Sequence, residues 1–505
     1  MSETAVINAR LNQARPAFAA RTRARRVARW AALGLCLAAL AGCQLTSSSK
    51  VSLVNGGSGA FFQDPDAAIG AREHPRVVAR YGGVYKNKQA EEVIASTVGR
   101  LVAASEDPSQ GYRITILNSP TVNAFALPGG YLYATRGLLA LANDSSELAA
   151  VLAHEMAHVT ARHANARQQR EEAAALVSRV VSNVVRDPDA AREAVLSSQL
   201  SLARFTQVQE LQADAIGVRT LARAGYDPYA ASRFLESMGR FAAYASAGDD
   251  VQTAPDFLST HPATPDRVAR AVKAAREIGA PGGVASDRDD YLPHLSGMLF
   301  GDDPLQGFIR GRSFLHKALG IGFTVPKGFV LENSPQAVLA SNGNGAALRF
   351  DGAELAEDDN LADYLRSGWI NGLIERSIRS TTVNGLPAVT ASALAEGWTF
   401  RIGVVRLGQT AYRFIVASRE PSASFSDVFE RTLASFRQLS PTERARLQPL
   451  SIRIVSVNEG ETVHDLARRM SGVDPSRRVE LFTVLNAVDS NTRLRPGMAV
   501  KLVVD

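Results

Sequence analysis

The sequence predicts a multidomain chain. A mainly α domain with a small β-hairpin comes first, then an α+β domain, then a small strand–helix–helix–strand unit. Three observations carry that prediction. The chain has 505 residues, room for roughly three domains at about 150 residues each. Apolar residues recur at helical spacing through most of 85–280, broken by two alternating runs around Pro128-Gly129-Gly130. Beyond a Gly-, Pro- and Asp-rich break at Gly279–Asp290, short alternating runs fill 296–440, and 450–505 closes the chain as a unit of its own.

The composition is that of an ordinary globular protein, with 46% hydrophobic residues and enough apolar content for sizeable cores. The formal net charge of +6 is concentrated in a leader: seven arginines between Arg10 and Arg29, against one acid, Glu3, account for all of it. The rest of the chain is balanced, so no nucleic-acid-reading surface is expected. The leader turns apolar from Trp30 to Gly42, a run too short for a confident membrane span and suited to a secretory signal. Cys36 would leave with residues 1–42, and with only Cys43 left no intramolecular disulfide can form. Residues 43–84 begin Ser-, Gly- and Asn-rich and read as a flexible tether.

In the 85–280 domain a helix is expected from Asn87 to Ala104, a strand over 111–117, and a hairpin from 122–127 and 131–135. Asp144-Ser145-Ser146-Glu147 then opens a helix in the manner of a capping box. That helix is nearly all Ala, Leu, Val and Met, yet it carries His154-Glu155-Met156-Ala157-His158. Positions four apart share a helical face, so the two imidazoles stand side by side and can close on one Zn²⁺. Polar groups on such an apolar helix are costly to bury unless something satisfies them. Glu155 lies beside the pair as a general base for water polarised by the ion.

A third ligand is expected, because catalytic zinc keeps three protein ligands and one open position. Glu210 and Asp214 are again four apart, in a helix expected over 206–224. Glu210 is the candidate ligand, and Asp214 the candidate acceptor for the second N–H of a liganding His. His163, five residues past His158, falls off the shared face and reads as surface. Residues 168–205 are helical in pattern and form either a flap over the cleft or a plain helical pair. Helices follow at 229–244 and 265–277, the latter with Asp266 as its expected cap.

These motifs, with Asn123 to Tyr133 upstream and Thr260-His261-Pro262 downstream, resemble the gluzincin metallopeptidases of the HtpX and CAAX-prenyl-protease group, most of all their periplasmic BepA-like branch. The resemblance covers about 85–280. It implies a zinc endopeptidase with one Zn²⁺ per chain on His154, His158 and Glu210. Relatives often have Ser-Arg and a second Glu around the ligating Glu, where this chain has Thr206-Gln207 and Gln212. The resemblance also implies that Asn123 to Ala126 is an edge strand pairing with extended substrate, although an ordinary core hairpin fits the same residues. It places His261 near the cleft mouth. There His261 hydrogen-bonds the oxyanion as a catalytic residue, fills the open zinc position in a resting form, or simply fixes its loop.

Leu40-Ala41-Gly42-Cys43 resembles the lipobox of bacterial lipoproteins. By that resemblance residues 1–42 are a lipoprotein signal peptide and Cys43 is lipidated. Gln44 would then favour the outer membrane of a Gram-negative cell, with the body in the periplasm. A plain signal peptide with an incidental Cys is the alternative.

Residues 296–440 show no catalytic constellation. Strands are expected at 322–325, 347–350, 400–405 and 412–416 and helices near 360–374 and 424–436, with His316 in packing. Residues 450–505 resemble a LysM module, which implies binding to peptidoglycan. The usual aromatic at the start is absent, Arg453-Ile454 standing there, and a structural cap fits equally.

The function these readings support is zinc-dependent hydrolysis of misfolded or unassembled envelope proteins. An envelope chaperone with little proteolysis and a peptidoglycan-tethered binding protein are the alternatives.

Overall fold

The computed structural model describes residues 65–172, 188–246, 261, 265–342, 345–356, 358–419 and 422–505. The leader, Cys43 and residues 173–187 of the expected flap lie outside the described residues. The chain divides into two compact units. Of the described residues, one takes in those of 65–322, 330–336 and 438–505, and the other those of 323–329 and 337–437.

The first unit is helical around a three-stranded sheet. Helix α1 (Pro65–Arg80) and helix α2 (Lys88–Ala104) lead into strand β1 (Arg113–Leu117). Asn87 caps α2 by accepting from the Ala90 N–H. Strands β2 (Ala124–Leu127) and β3 (Tyr131–Thr135) form the hairpin expected around Pro128-Gly129-Gly130. Both glycines adopt positive φ there, and a Cβ on Gly130 would sit about 2.0 Å from the Gly111 carbonyl. The order is β1-β3-β2, with β1 parallel to β3, so β2 is an edge of this sheet.

After a short helix α3 (Arg136–Leu141) comes α4 (Ser145–Thr160), the helix with the paired histidines. Every residue from Ser145 to Ala157 is buried, as its apolar circumference requires. Asp144 caps it, accepting from the Glu147 N–H at 2.8 Å. The Glu147 carboxylate reaches back to the Asn143 N–H at 3.0 Å, one residue beyond the usual capping-box partner.

Helix α5 runs from Pro188 to Arg223, so the stretch expected to begin at 206 continues a longer helix. Gly217 lets α5 lie close on α4, since a Cβ there would meet the His154 backbone N at 3.3 Å. Helices α6 (Ala230–Ser246) and α7 (Pro265–Ile278) complete the layer. Asp266 is in the first turn of α7 and pairs with Arg270 at 2.8 Å. It is not the cap, because the helix already starts at Pro265.

The C-terminal segment is strand β4 (Leu450–Ser456), helices α8 (Val463–Arg468) and α9 (Arg478–Asn486), and strand β5 (Ala499–Val504), the expected order. The sequence did not disclose its place in the first unit's core. Leu139, Leu152, Tyr291, Leu292, Ile452, Val484 and Ala499 belong to one buried cluster. Lys501 is fully buried on β5, and its ammonium donates to the Ala140, Leu141 and Ala142 carbonyls at 2.9–3.0 Å. These are the orphan carbonyls that close α3, where a cation also complements the helix dipole. Arg288, in the Gly279–Asp290 break, donates to the Ala499 carbonyl, Asn143 Oδ1 and Asn486 Oδ1, each at 2.9 Å.

The second unit is sheet-rich. Strands at Val338–Ser341, Ala346–Glu354, Arg379–Val383, Leu386–Ala395, Trp398–Leu407 and Thr410–Ser418 pair antiparallel. A short helix, Leu361–Arg366, and Trp369 pack on one cluster of the sheet with Val389, Ile402 and Val404. Phe323, Phe350, Phe414 and Phe436 form an aromatic cluster elsewhere in the unit. In the first unit, His316 is buried and accepts from the Leu319 N–H at 3.2 Å, the packing role expected of it.

Replacing Lys501 with Met should destabilise the first unit by roughly 2–5 kcal/mol, because buried carbonyls lose their donor. Urea unfolding followed by far-UV circular dichroism measures it. A loss below about 1 kcal/mol would show that these carbonyls readily find other partners.

Candidate active site

Helix α4 brings His154 and His158 to one face. Their Nε2 atoms lie 3.1 Å apart. Helix α5 packs against that face and delivers Glu210, whose Oε2 is 3.4 Å from His154 Nε2 and whose Oε1 is 3.4 Å from His158 Nε2. His261 enters the same group: its Nδ1 is 2.8 Å from Glu210 Oε2 and 3.3 Å from His154 Nε2. One ligand atom from each of these four residues lies within 4.8 Å of every other.

These distances allow a test of fit. A tetrahedral ion with bonds of about 2.1 Å separates its ligand atoms by about 3.4 Å. The 3.1 Å between the two Nε2 atoms and the 3.3 Å from His154 Nε2 to His261 Nδ1 are near that spacing, as are the 3.4 Å contacts of His154 with Glu210 Oε2 and of His158 with Glu210 Oε1, while His261 Nδ1 and Glu210 Oε2 are closer, at 2.8 Å. Glu210 Oε1 and Glu155 Oε1 are buried without a hydrogen-bond partner, a costly state that a cation relieves. Imidazole and carboxylate donors suit zinc. The residues present fit one divalent ion.

The supporting groups are equally specific. Asp214 Oδ1 lies 3.0 Å from His154 Nδ1, so His154 is held from behind while its Nε2 faces the cluster. Arg267, from α7, grips Asp214 through two bonds of 2.8 and 2.7 Å and reaches Glu210 Oε2 at 3.2 Å. Glu155 points alongside, its Oε1 3.7 Å from His261 Nε2.

Burial alone would lower the His154 pKa, but the hydrogen bonds with Asp214 and Glu210 outweigh it and hold the metal-free imidazole at about 9. Burial would raise Asp214, yet Arg267 and His154 bring it down to about 2. Glu210 is likewise held low by His154 and His261 against its burial. Burial pushes Glu155 up. It pushes His158 down, and charge on His154 adds to that. Without an ion, the site keeps Glu210 and Asp214 charged and holds positive charge on His154 and Arg267.

One residue was misplaced by helical extrapolation. His163 is not at the surface: it is 4% exposed, with its Nδ1 2.9 Å from His158 Nδ1. Helix α4 ends before it, Arg162 adopts the left-handed region at φ 50°, and a new helix over 163–172 begins. The turn brings His163 back against His158. A left-handed Gly or Asn would have signalled that turn, whereas Arg gives no signal. Arg267 was also missed, since its helix reads as an ordinary amphipathic surface element. Lipidation at Cys43 lies outside the described residues.

Residues 88–275 match Peptidase family M48. That segment is similar to the domain of a peptidase family. The chain is 33% identical over 202 residues to the Beta-barrel assembly-enhancing protease of Escherichia coli (strain K12), covering 38% of this chain and 40% of that protein. It is 34% identical over 197 residues to the Putative beta-barrel assembly-enhancing protease of Vibrio cholerae, covering 37% and 39%. Identity is 34% over 183 residues to the Mitochondrial metalloendopeptidase OMA1 of Schizosaccharomyces pombe, covering 35% and 50%. The chain thus spans two fifths to a half of the length of these relatives. Among the described residues, no helix is long and apolar enough to cross a membrane.

Metal analysis of the full chain should find one divalent ion per chain. Zinc at about 100 times its Kd should raise stability by about 2.7 kcal/mol. Exchange of Glu210 for Ala should remove most of that rise, and an unchanged rise would take Glu210 out of the site.

Proposed function

We propose that the chain is a zinc-dependent endopeptidase of the bacterial cell envelope, acting on misfolded or unassembled periplasmic and outer-membrane proteins. The observation that carries this reading is the convergence of His154, His158, Glu210 and His261, one ligand atom of each within 4.8 Å of the others, with Glu155 beside them. His154, His158 and Glu210 would hold the ion, which when bound supplies a Lewis acid for a peptide carbonyl and makes water more acidic. Asp214 orients His154, and Arg267 orients Asp214 and Glu210. Glu155, buried beside the cluster with one oxygen unpartnered, takes the proton of the attacking water and returns it to the leaving amine. Its raised affinity for a proton suits both steps.

Strand β2 is a sheet edge that packs on α4. The outer side of an edge strand offers main-chain pairing to an extended substrate, and such pairing tolerates many sequences. His261 supports a resting form: its Nδ1 stands among the donors, where an open position is needed for turnover. Lipid on Cys43 would anchor the body to the outer membrane of a Gram-negative cell. For residues 450–505 we favour the structural cap over glycan capture, because Lys501 is committed to the end of α3.

Casein hydrolysis by the full chain, with and without a chelator, tests the activity. Exchange of Glu155 for Gln should leave the metal bound and reduce hydrolysis by at least about 10²-fold. Parent-like hydrolysis in that variant would remove Glu155 from its role. His261→Ala should keep the metal and raise turnover, whereas a drop of tenfold or more (about 1.4 kcal/mol of transition-state stabilisation) would assign His261 to the oxyanion.

A further inference from the structure

We infer that His163 is a positioning residue for His158, doing with a neutral imidazole what Asp214 does for His154 with a carboxylate. The inference rests on the proposed metal site and extends it to a residue outside the donor set.

His158 Nε2 faces the donors, 3.1 Å from His154 Nε2 and 3.4 Å from Glu210 Oε1. A nitrogen that binds a cation must present its lone pair, so the proton of neutral His158 belongs on Nδ1. That Nδ1 is 2.9 Å from His163 Nδ1. Between two nitrogens at this distance one donates and the other accepts. With His158 donating, His163 Nδ1 is the acceptor and carries its own proton on Nε2. His163 Nε2 in turn lies 3.3 Å from Gln212 Oε1, which accepts it. Each link agrees with the next: Gln212 fixes the tautomer of His163, and His163 fixes that of His158. Reversing the chain would place a proton on His158 Nε2, among the donors, and would set His163 Nε2 as an acceptor against an amide oxygen.

The residue is also held where this role needs it. Gln209 Nε2 donates to the His163 carbonyl at 2.9 Å. The two rings meet edge to face, 4.8 Å between centroids at 75°. Gln209 and Gln212 come from α5, the helix that carries Glu210. Thus α5 delivers a metal donor and, within one turn of it, the support for a donor on α4.

The test is competition for Zn²⁺ between the full chain and a chromophoric chelator. Binding by the parent comes first: a parent that takes up no zinc would refute the metal site itself, which separates that failure from failure of this inference. His163→Leu should weaken zinc binding by about 10–100-fold, the usual effect of losing a group that orients a metal ligand. His163→Asn places an amide oxygen near the position of Nδ1 and should restore affinity to within about threefold of the parent. A purely structural imidazole would leave Asn and Leu equally weak. That outcome, or a Leu variant as tight as the parent, overturns the inference. If the Leu variant does not fold, the Asn variant decides alone: near-parent affinity supports the role, and a loss of tenfold or more overturns it.

Discussion

The structure depends on one constraint: helix α4 is buried along its length and yet carries Glu147, His154 and Glu155 inside. An ionisable group buried without a partner costs several kcal/mol. An apolar helix can hold three such groups only if the rest of the chain compensates them. At its start, Arg233 spans Asp144 at 3.2 Å and Glu147 at 3.6 Å, while Arg288 bonds to Asn143. In its C-terminal half, Glu210, Asp214, Arg267 and His261 surround His154. Much of the first unit's long-range organisation can be read as an answer to these two demands.

The C-terminal segment is part of the same answer. Lys501 and Asn486 are buried there, and Asn486 also takes the Lys501 N–H at 2.8 Å. Burial, with Arg288 nearby, weakens the proton affinity of Lys501, while the Glu147 and Asp144 carboxylates strengthen it. Three carbonyl acceptors favour the ammonium. Burial wins, holding Lys501 well below its usual range, and its Nζ still supplies three donor bonds to the end of α3, three residues before the cap of α4, from about 360 residues further along the chain. Whatever else the segment does, it shares a hydrophobic core and a polar network with the elements that seat α4.

How much of this was legible follows from the range over which each signal acts. Paired donors four residues apart on a helix are local, so His154 and His158 stood out from spacing, whereas Glu210 and Asp214 gained weight only beside that first pair. The hairpin was equally local, because the Pro128-Gly129-Gly130 turn demands positive φ. The extent of α5 was not, since Pro188 to Arg223 contains no breaker and Gly217, a candidate one, serves close packing instead. His163 was misread because helical extrapolation crossed a left-handed Arg162. Lys501 did leave a trace, as a lone cation in Ala-Val-Lys-Leu-Val-Val, a strand buried on both faces. What it pairs with is a long-range fact that no local pattern contains.

The donors differ in how they are held, and this bears on how the site can open. His154, His158 and Glu210 belong to two helices in close contact, with Gly217 against the His154 backbone. Displacing any of them would mean separating α4 from α5 and exposing a shared core. His261 lies outside the helices, four residues before the start of α7. Its departure from the cluster would release its contacts with Glu210, His154 and Glu155 but leave the other three donors in place. Arg267, farther into α7, would still hold Glu210 and Asp214. On the proposed metal site, three donors are built into packed helices and the fourth stands apart from them, so the fourth can be exchanged for substrate while the other three stay in place, as the proposed hydrolysis requires.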